Sequence, residues 1–140
     1  MTVARTTVGA SASSLAPLQS FLAEVWLTEH LPDSGRFPFE LALEEVFMNV
    51  VMHGSHARTD VWTEVTFEHT PGWVQMSIRD NGNPFDPLSL EPPDVDAAMH
   101  DRPVGGLGVH LVRTLMDEVT YHLEDGCNVL VMRKRLENGA

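Results

Sequence analysis

Glu45 and Asn49 set a carboxylate and an amide four residues apart in the stretch Glu40-Leu-Ala-Leu-Glu-Glu-Val-Phe-Met-Asn-Val-Val-Met-His-Gly54. With no Gly or Pro before its last residue, the stretch reads as one helix of about four turns, stopped by Gly54. From Val46 to Met52 every residue except Asn49 is apolar, and a helix apolar nearly all round is buried. Residues four apart share a helix face. Two chemistries fit a buried amide one turn from a carboxylate. Asn49 could hydrogen-bond a neighbouring loop with Glu45 near the surface, since an unsatisfied buried amide costs roughly 1–3 kcal/mol. Or the pair could hold a hydrated cation or a reacting water.

Two further stretches carry residues of the same kind. Asp80-Asn-Gly-Asn-Pro-Phe-Asp-Pro87 holds five Gly, Pro or Asn residues in eight, so the chain turns sharply there. Val104-Gly-Gly-Leu-Gly-Val-His-Leu-Val112 runs glycines straight into a helical pattern of Leu107, Val109, Leu111, Val112, Leu115 and Met116. Glycines let backbone N–H groups approach a ligand, and a helix N-terminus favours anions; close packing of the helix on a sheet would also use them. His53 and His56 suit a helix end, where the dipole favours them. Cys127 is alone, so no internal disulfide forms, which suits the cytosol, and it reads as a small core residue.

The elements that must position these residues follow from periodicity. Thr2–Val8 reads as a first strand. Ser11–Ser14 offers a cap for a helix running to about His30, with Leu18, Phe21, Leu22, Val25 and Trp26 on one face. Val61–His69 and Trp73–Arg79 alternate as a hairpin with one buried face around Thr70-Pro-Gly72. Glu118–Leu123 and Cys127–Met132 form a second hairpin through Asp125-Gly126, and Arg133-Lys-Arg135 reads as a solvated end. Leu88–Pro103 lacks periodicity and carries three prolines, so it reads as a mobile lid. The fold class is α+β: a two-layer sandwich with a mixed, mostly antiparallel sheet of four or five strands and three helices on one face.

The chain has 140 residues, 43% hydrophobic and 21% charged, with a net charge of −11. That bounds it to one domain over residues 1–140 with a real core. The acidic balance speaks against direct nucleic-acid contact. No apolar run approaches the roughly 20 residues of a membrane span, and no basic start followed by an apolar core marks a signal peptide, so a cytoplasmic protein is expected.

Glu45-x-x-x-Asn49, Asp80-x-Gly82 and Gly106-x-Gly108, in that order and in those elements, resemble the GHKL ATPase superfamily with its Bergerat-type nucleotide fold, over roughly Glu40 to Met132. Within it the chain is most similar to the bacterial anti-sigma-factor serine/threonine-protein kinases. The resemblance implies ATP and Mg2+ as cofactors, with Asn49 coordinating magnesium and Glu45 as the general base for an attacking Ser or Thr hydroxyl. It implies that Asp80 accepts from the adenine amine and that Gly82 leaves room for the purine. Gly105, Gly106, Leu107 and Gly108 match the phosphate loop, and Arg102, just before them, loosely matches a basic lid residue. Glu44 lies about 100° around the helix from Glu45 and should point away. The implied function is an anti-sigma factor that phosphorylates an anti-sigma-factor antagonist and sequesters a sigma factor, with a homodimer left open. A nucleotide-binding module that sequesters a partner without chemistry is the alternative; a detached histidine-kinase catalytic domain lacks its dimerisation helices, and a simple ATPase lacks a transducer. The acidic lid (Glu91, Asp94, Asp96, Asp101) and the absence of a cradling lysine depart from the family pattern.

Overall fold

The computed structural model describes residues 2–55, 58–89 and 106–136. Strand β1 (Thr2–Gly9) leads into helix α1 (Leu15–Thr28), and a 3-10 turn at Asp33–Gly35 leads into helix α2 (Phe37–Asn49). The hairpin of β2 (Trp62–Thr70) and β3 (Trp73–Asp80) follows, then helix α3 (Gly106–Leu115) and the hairpin of β4 (Glu118–Glu124) and β5 (Cys127–Arg135). One sheet runs in the order β1-β2-β3-β5-β4. Every pairing among the described strands is antiparallel, so the expected α+β sandwich holds while its sheet is antiparallel throughout rather than mixed.

The alternation in the strands decides which face the helices cover. Val65 and Phe67 on β2, Val74, Met76 and Ile78 on β3, and Leu130 and Met132 on β5 are buried in one core with Leu18, Leu22 and Trp26 of α1, Phe39, Leu43 and Phe47 of α2, and Val112 of α3. Residues of the other parity, such as Glu64, Thr66, Gln75 and Ser77, are half-buried on the opposite face. Phe67 is the centre of an aromatic cluster, with Phe21, Trp26 and Phe39 ring centroids at 5.8, 6.1 and 6.3 Å. Asp125 and Gly126 both take positive φ (52° and 78°), the backbone that a two-residue turn needs to match strand twist.

Several boundaries differ from the sequence pattern for physical reasons. The α2 helix starts at Phe37, three residues before the periodic stretch, because Pro38 sits in its first turn, where a missing N–H removes no helical hydrogen bond. Ser14 makes no side-chain cap for α1. The basic run is solvent-exposed in part, with Arg135 exposed, but its side chains also have partners. Arg133 stacks 4.7 Å over Trp73 and bridges Glu118 at 2.9 Å, Arg135 lies 5.6 Å over the same ring, and Lys134 Nζ donates to the Leu115 carbonyl at the end of α3 (2.8 Å). Cations favour both aromatic faces and helix C-termini. Of the lid stretch only its beginning is described, where Pro87–Ser89 form a 3-10 turn; Arg102, Gly105 and His56 lie outside the described residues.

Candidate nucleotide site

Helix α2 carries two of the candidate residues into the interior. Ala42, Leu43 and Phe47 are fully buried and pin its inner face to the sheet, and that orientation turns Asn49 inward until it is 5% exposed. Its amide nitrogen Nδ2 has no hydrogen-bond partner among the described residues. No described loop satisfies that nitrogen, and buried polar groups are ordinarily hydrogen-bonded. Glu45, one turn earlier, is half-buried, while Glu44 is exposed, as the helical offset implies. Burial pushes the Glu45 carboxyl above its ordinary value, and the negative charge of Glu44 adds to the shift.

Beyond Asn49 the helix widens into a π-helical turn at Val50–Gly54, closed by Ser55 N–H donating to the Val50 carbonyl at 2.8 Å. Such turns recur at functional sites. The Gly54 carbonyl accepts from Asn83 N–H at 2.8 Å, which ties the end of α2 to the loop after β3. At Gly82 an added Cβ would meet the Gly54 carbonyl oxygen at 2.8 Å and its carbon at 3.0 Å. The backbone of α2's end is what requires glycine at that position. His53 lies at the helix end as its type suggests, where it stacks on Phe85 with ring centroids 4.7 Å apart.

Asp80, the last residue of β3, is 5% exposed. Its Oδ1 accepts from Gly82 N–H and from the Asn128 amide, both at 2.9 Å; Oδ2 has no partner among the described residues. Burial pushes the Asp80 carboxyl up, against the opposing pull of those two hydrogen bonds and of the Arg58 charge. Asn128 is a site residue that motif reasoning missed. It stands opposite Asp80 in the β3–β5 register. Its Nδ2 also donates to the Asn83 carbonyl (3.1 Å), and its Oδ1 accepts from Phe85 N–H (3.1 Å) and from the Tyr121 hydroxyl. One side chain thus holds the carboxylate and the loop together. The signal was present, because Asn128 is the lone amide in Cys127-Asn-Val-Leu-Val-Met132, the same signature that marks Asn49.

These residues converge on a cleft whose polar lining includes Asn49, Asp80 and Asn128 and whose apolar walls include Val50, Ile78, Phe85 and Leu130. A mostly apolar slot with a few fixed polar groups is the usual form of a small-molecule site. Glu45 lies one turn outside the cleft against the start of α3, where Gly108 faces it. Gly106 opens α3 and Leu107 follows it. Among the described residues no group of three or more His, Cys, Asp or Glu side chains could hold a metal alone, and no helix is long and apolar enough to cross a membrane.

The family described as histidine kinase-like ATPase domain matches residues 8–134. The chain belongs to the histidine kinase-like ATPase domain family. Among curated relatives of this domain, the chain is 30% identical over 97 residues to the serine/threonine-protein kinase BtrW of Bordetella bronchiseptica, covering 69% of this chain and 68% of that one. It is 29% identical over 111 residues to the serine-protein kinase RsbW of Listeria monocytogenes, covering 72% and 69%, and 29% identical over 107 residues to an RsbW of Bacillus cereus, covering 71% and 66%. A solved structure of the RsbU and RsbW domains of a Mycobacterium tuberculosis protein superposes with a TM-score of 0.67 over 99% of this chain at 16% identity, and this chain spans 34% of that one. The ATPase-domain fold is thereby shared, and the sequence likeness runs to kinases of the RsbW and BtrW kind.

Proposed function

We propose that this domain is an ATP-dependent serine/threonine-protein kinase acting as an anti-sigma factor, which phosphorylates an anti-sigma-factor antagonist and sequesters a sigma factor. The observation that carries the reading is the buried Asn49 amide in the cleft, whose Nδ2 has no partner among the described residues, one turn from a half-buried Glu45. The names of the relatives support the reaction class.

The adenine ring fits the apolar slot between Val50, Ile78 and Leu130, with Asp80 Oδ2 accepting its exocyclic amine; Oδ1 is already committed to Gly82 and Asn128. Asn49 is the protein's metal ligand, through its amide oxygen. The assignment of oxygen and nitrogen in an amide follows its partners, and here the amide leaves a polar atom open. Magnesium, which binds through one or two protein ligands plus phosphate oxygens, would supply the positive charge that a chain of net charge −11 lacks for a triphosphate. Gly106 and Leu107 open α3 and offer backbone N–H groups to the phosphates; Gly105 and Arg102, outside the described residues, are assigned to the phosphate loop and the lid by the family resemblance. Glu45 accepts the proton of the substrate Ser or Thr hydroxyl as its oxygen bonds to the γ-phosphorus; the bond from that phosphorus to the β,γ-bridging oxygen breaks, and ADP leaves. A raised carboxyl suits a base, because an acceptor closer to neutrality takes a proton more readily. Incubation with labelled ATP and candidate partner proteins tests the proposal. Label on a partner serine or threonine is the expected result, and tight partner capture without transfer would make the domain a sequestering module.

A further inference from the structure

We propose that Gly108 is a positioning residue for Glu45: the missing side chain at Gly108 leaves the space in which the Glu45 carboxylate lies. A Cβ at Gly108 would fall 2.0 Å from Glu45 Cδ, 2.3 Å from Oε2 and 2.4 Å from Cγ. These distances are far inside van der Waals contact, so no side chain can occupy Gly108 while Glu45 stays where it is. The collision is with the end of a flexible side chain and not with backbone. Gly82 is the contrast: there the obstacle is the Gly54 carbonyl, which belongs to the π-helical turn and has nowhere to go. An alanine at Gly108 leaves the fold intact and swings the carboxylate aside.

The consequence is specific to the proton acceptor. Gly108 is the third residue of α3, so it belongs to the first helical turn, whose N–H groups have no intrahelical partners and favour negative charge. Packing α2 against α3 through this glycine therefore fixes the carboxylate beside that turn, half-buried, one helical turn from the Asn49 amide. The three atoms nearest an added methyl all belong to Glu45, so the direct collision is with this side chain. The glycines of this run then divide in role. Gly108 sets where the base stands, and the approach of phosphates falls to the residues before it. The inference rests on the reading of Glu45 as base, and its packing half stands apart from that reading.

The test compares Gly108→Ala, Glu45→Gln and the double variant. Gly108→Ala should keep MgATP affinity within about threefold and lower the single-turnover transfer rate by about 10²-fold or more, the scale of lost general-base assistance. The double variant should transfer no more slowly than Glu45→Gln alone, because residues acting as a unit are non-additive. A large loss of MgATP affinity in Gly108→Ala, or additive losses in the double variant, would assign Gly108 to phosphate contact and overturn the proposal. Thermal melts separate this from the kinase reading. Alanine favours helices over glycine, so Gly108→Ala should raise Tm more in a Glu45→Ala background, where the methyl displaces nothing, than in wild type. Equal shifts in both backgrounds refute the packing whether or not the domain transfers phosphate. Absence of transfer in wild type, with unequal shifts, refutes the base role and leaves the packing standing.

Discussion

Asp80 and Asn49 are both buried and both polar, yet they relate differently to the protein around them. Asp80 lines the cleft with one oxygen held by Gly82 and Asn128, and in the proposed reading its other oxygen selects a donor. It should favour ATP over GTP, whose carbonyl oxygen would face the carboxylate. Losing such a charge-assisted bond costs about 1.5–3 kcal/mol, roughly tenfold or more in affinity. Calorimetric titration of both nucleotides into wild type and Asp80→Asn checks this, and equal affinities in wild type would contradict it. The same burial has a pH signature. The folded-state carboxyl is raised above its ordinary value of 3.8, so the folded state holds a proton more tightly than the unfolded chain. That contribution to stability is complete below the ordinary value and is lost as pH rises through the folded one. Asp80→Asn should therefore melt higher than wild type at neutral pH, with the gap closing as pH falls toward 3.8. Asn49 has an amide nitrogen that no described residue satisfies. Asn49→Ala should abolish magnesium-dependent nucleotide binding while leaving the ligand-free Tm unchanged or higher. An Asn49→Ala variant that melts several degrees earlier and still binds MgATP would make the residue structural.

At the scale of elements, the site is a junction between the end of α2, the loop after β3 and the start of β5, fastened by Gly54, Gly82 and Asn128. Gly82→Ala forces a methyl to 2.8 Å from the Gly54 carbonyl oxygen, and overpacking of this kind costs roughly 1–3 kcal/mol. Its Tm and its nucleotide affinity should fall together, in contrast to Asn49→Ala; a Tm equal to wild type would mean the α2 end yields freely. The helices and both hairpins were legible in the sequence, because apolar periodicity and the Asp125-Gly126 turn report burial and local backbone. Asn49 was legible because a polar residue in an apolar run stands out; the half-buried Glu45 was legible from its four-residue spacing to Asn49, and Asp80 from the turn it opens and the family resemblance. Asn128 carries the same mark, but it sits opposite Asp80 only through the β3–β5 register, and no local pattern states which strands pair. The stacking of Arg133 and Arg135 on Trp73 was hidden for the same reason, since it depends on a contact distant in sequence; the Pro38 start of α2 and the π-helical turn are local, but apolar periodicity does not mark them.

For the whole molecule, the proposed function has an acidic chain of net charge −11 take up a polyanionic ligand in a cleft, with its base one turn beyond. In the proposed reaction nucleotide occupies the cleft at Asp80 and Asn49 and Glu45 takes the proton, so binding and chemistry should separate by mutation. The most direct measurement is single-turnover transfer of labelled phosphate from ATP to the cognate partner protein by wild type, Glu45→Gln and Glu44→Gln. Glu45→Gln keeps the shape of the side chain but cannot accept the hydroxyl proton. Its transfer rate should fall by about 10²–10⁴-fold with MgATP affinity unchanged, and the exposed Glu44→Gln should stay near wild type. Transfer by Glu45→Gln at the wild-type rate, or a dead Glu44→Gln beside an active Glu45→Gln, would contradict the assignment of the base.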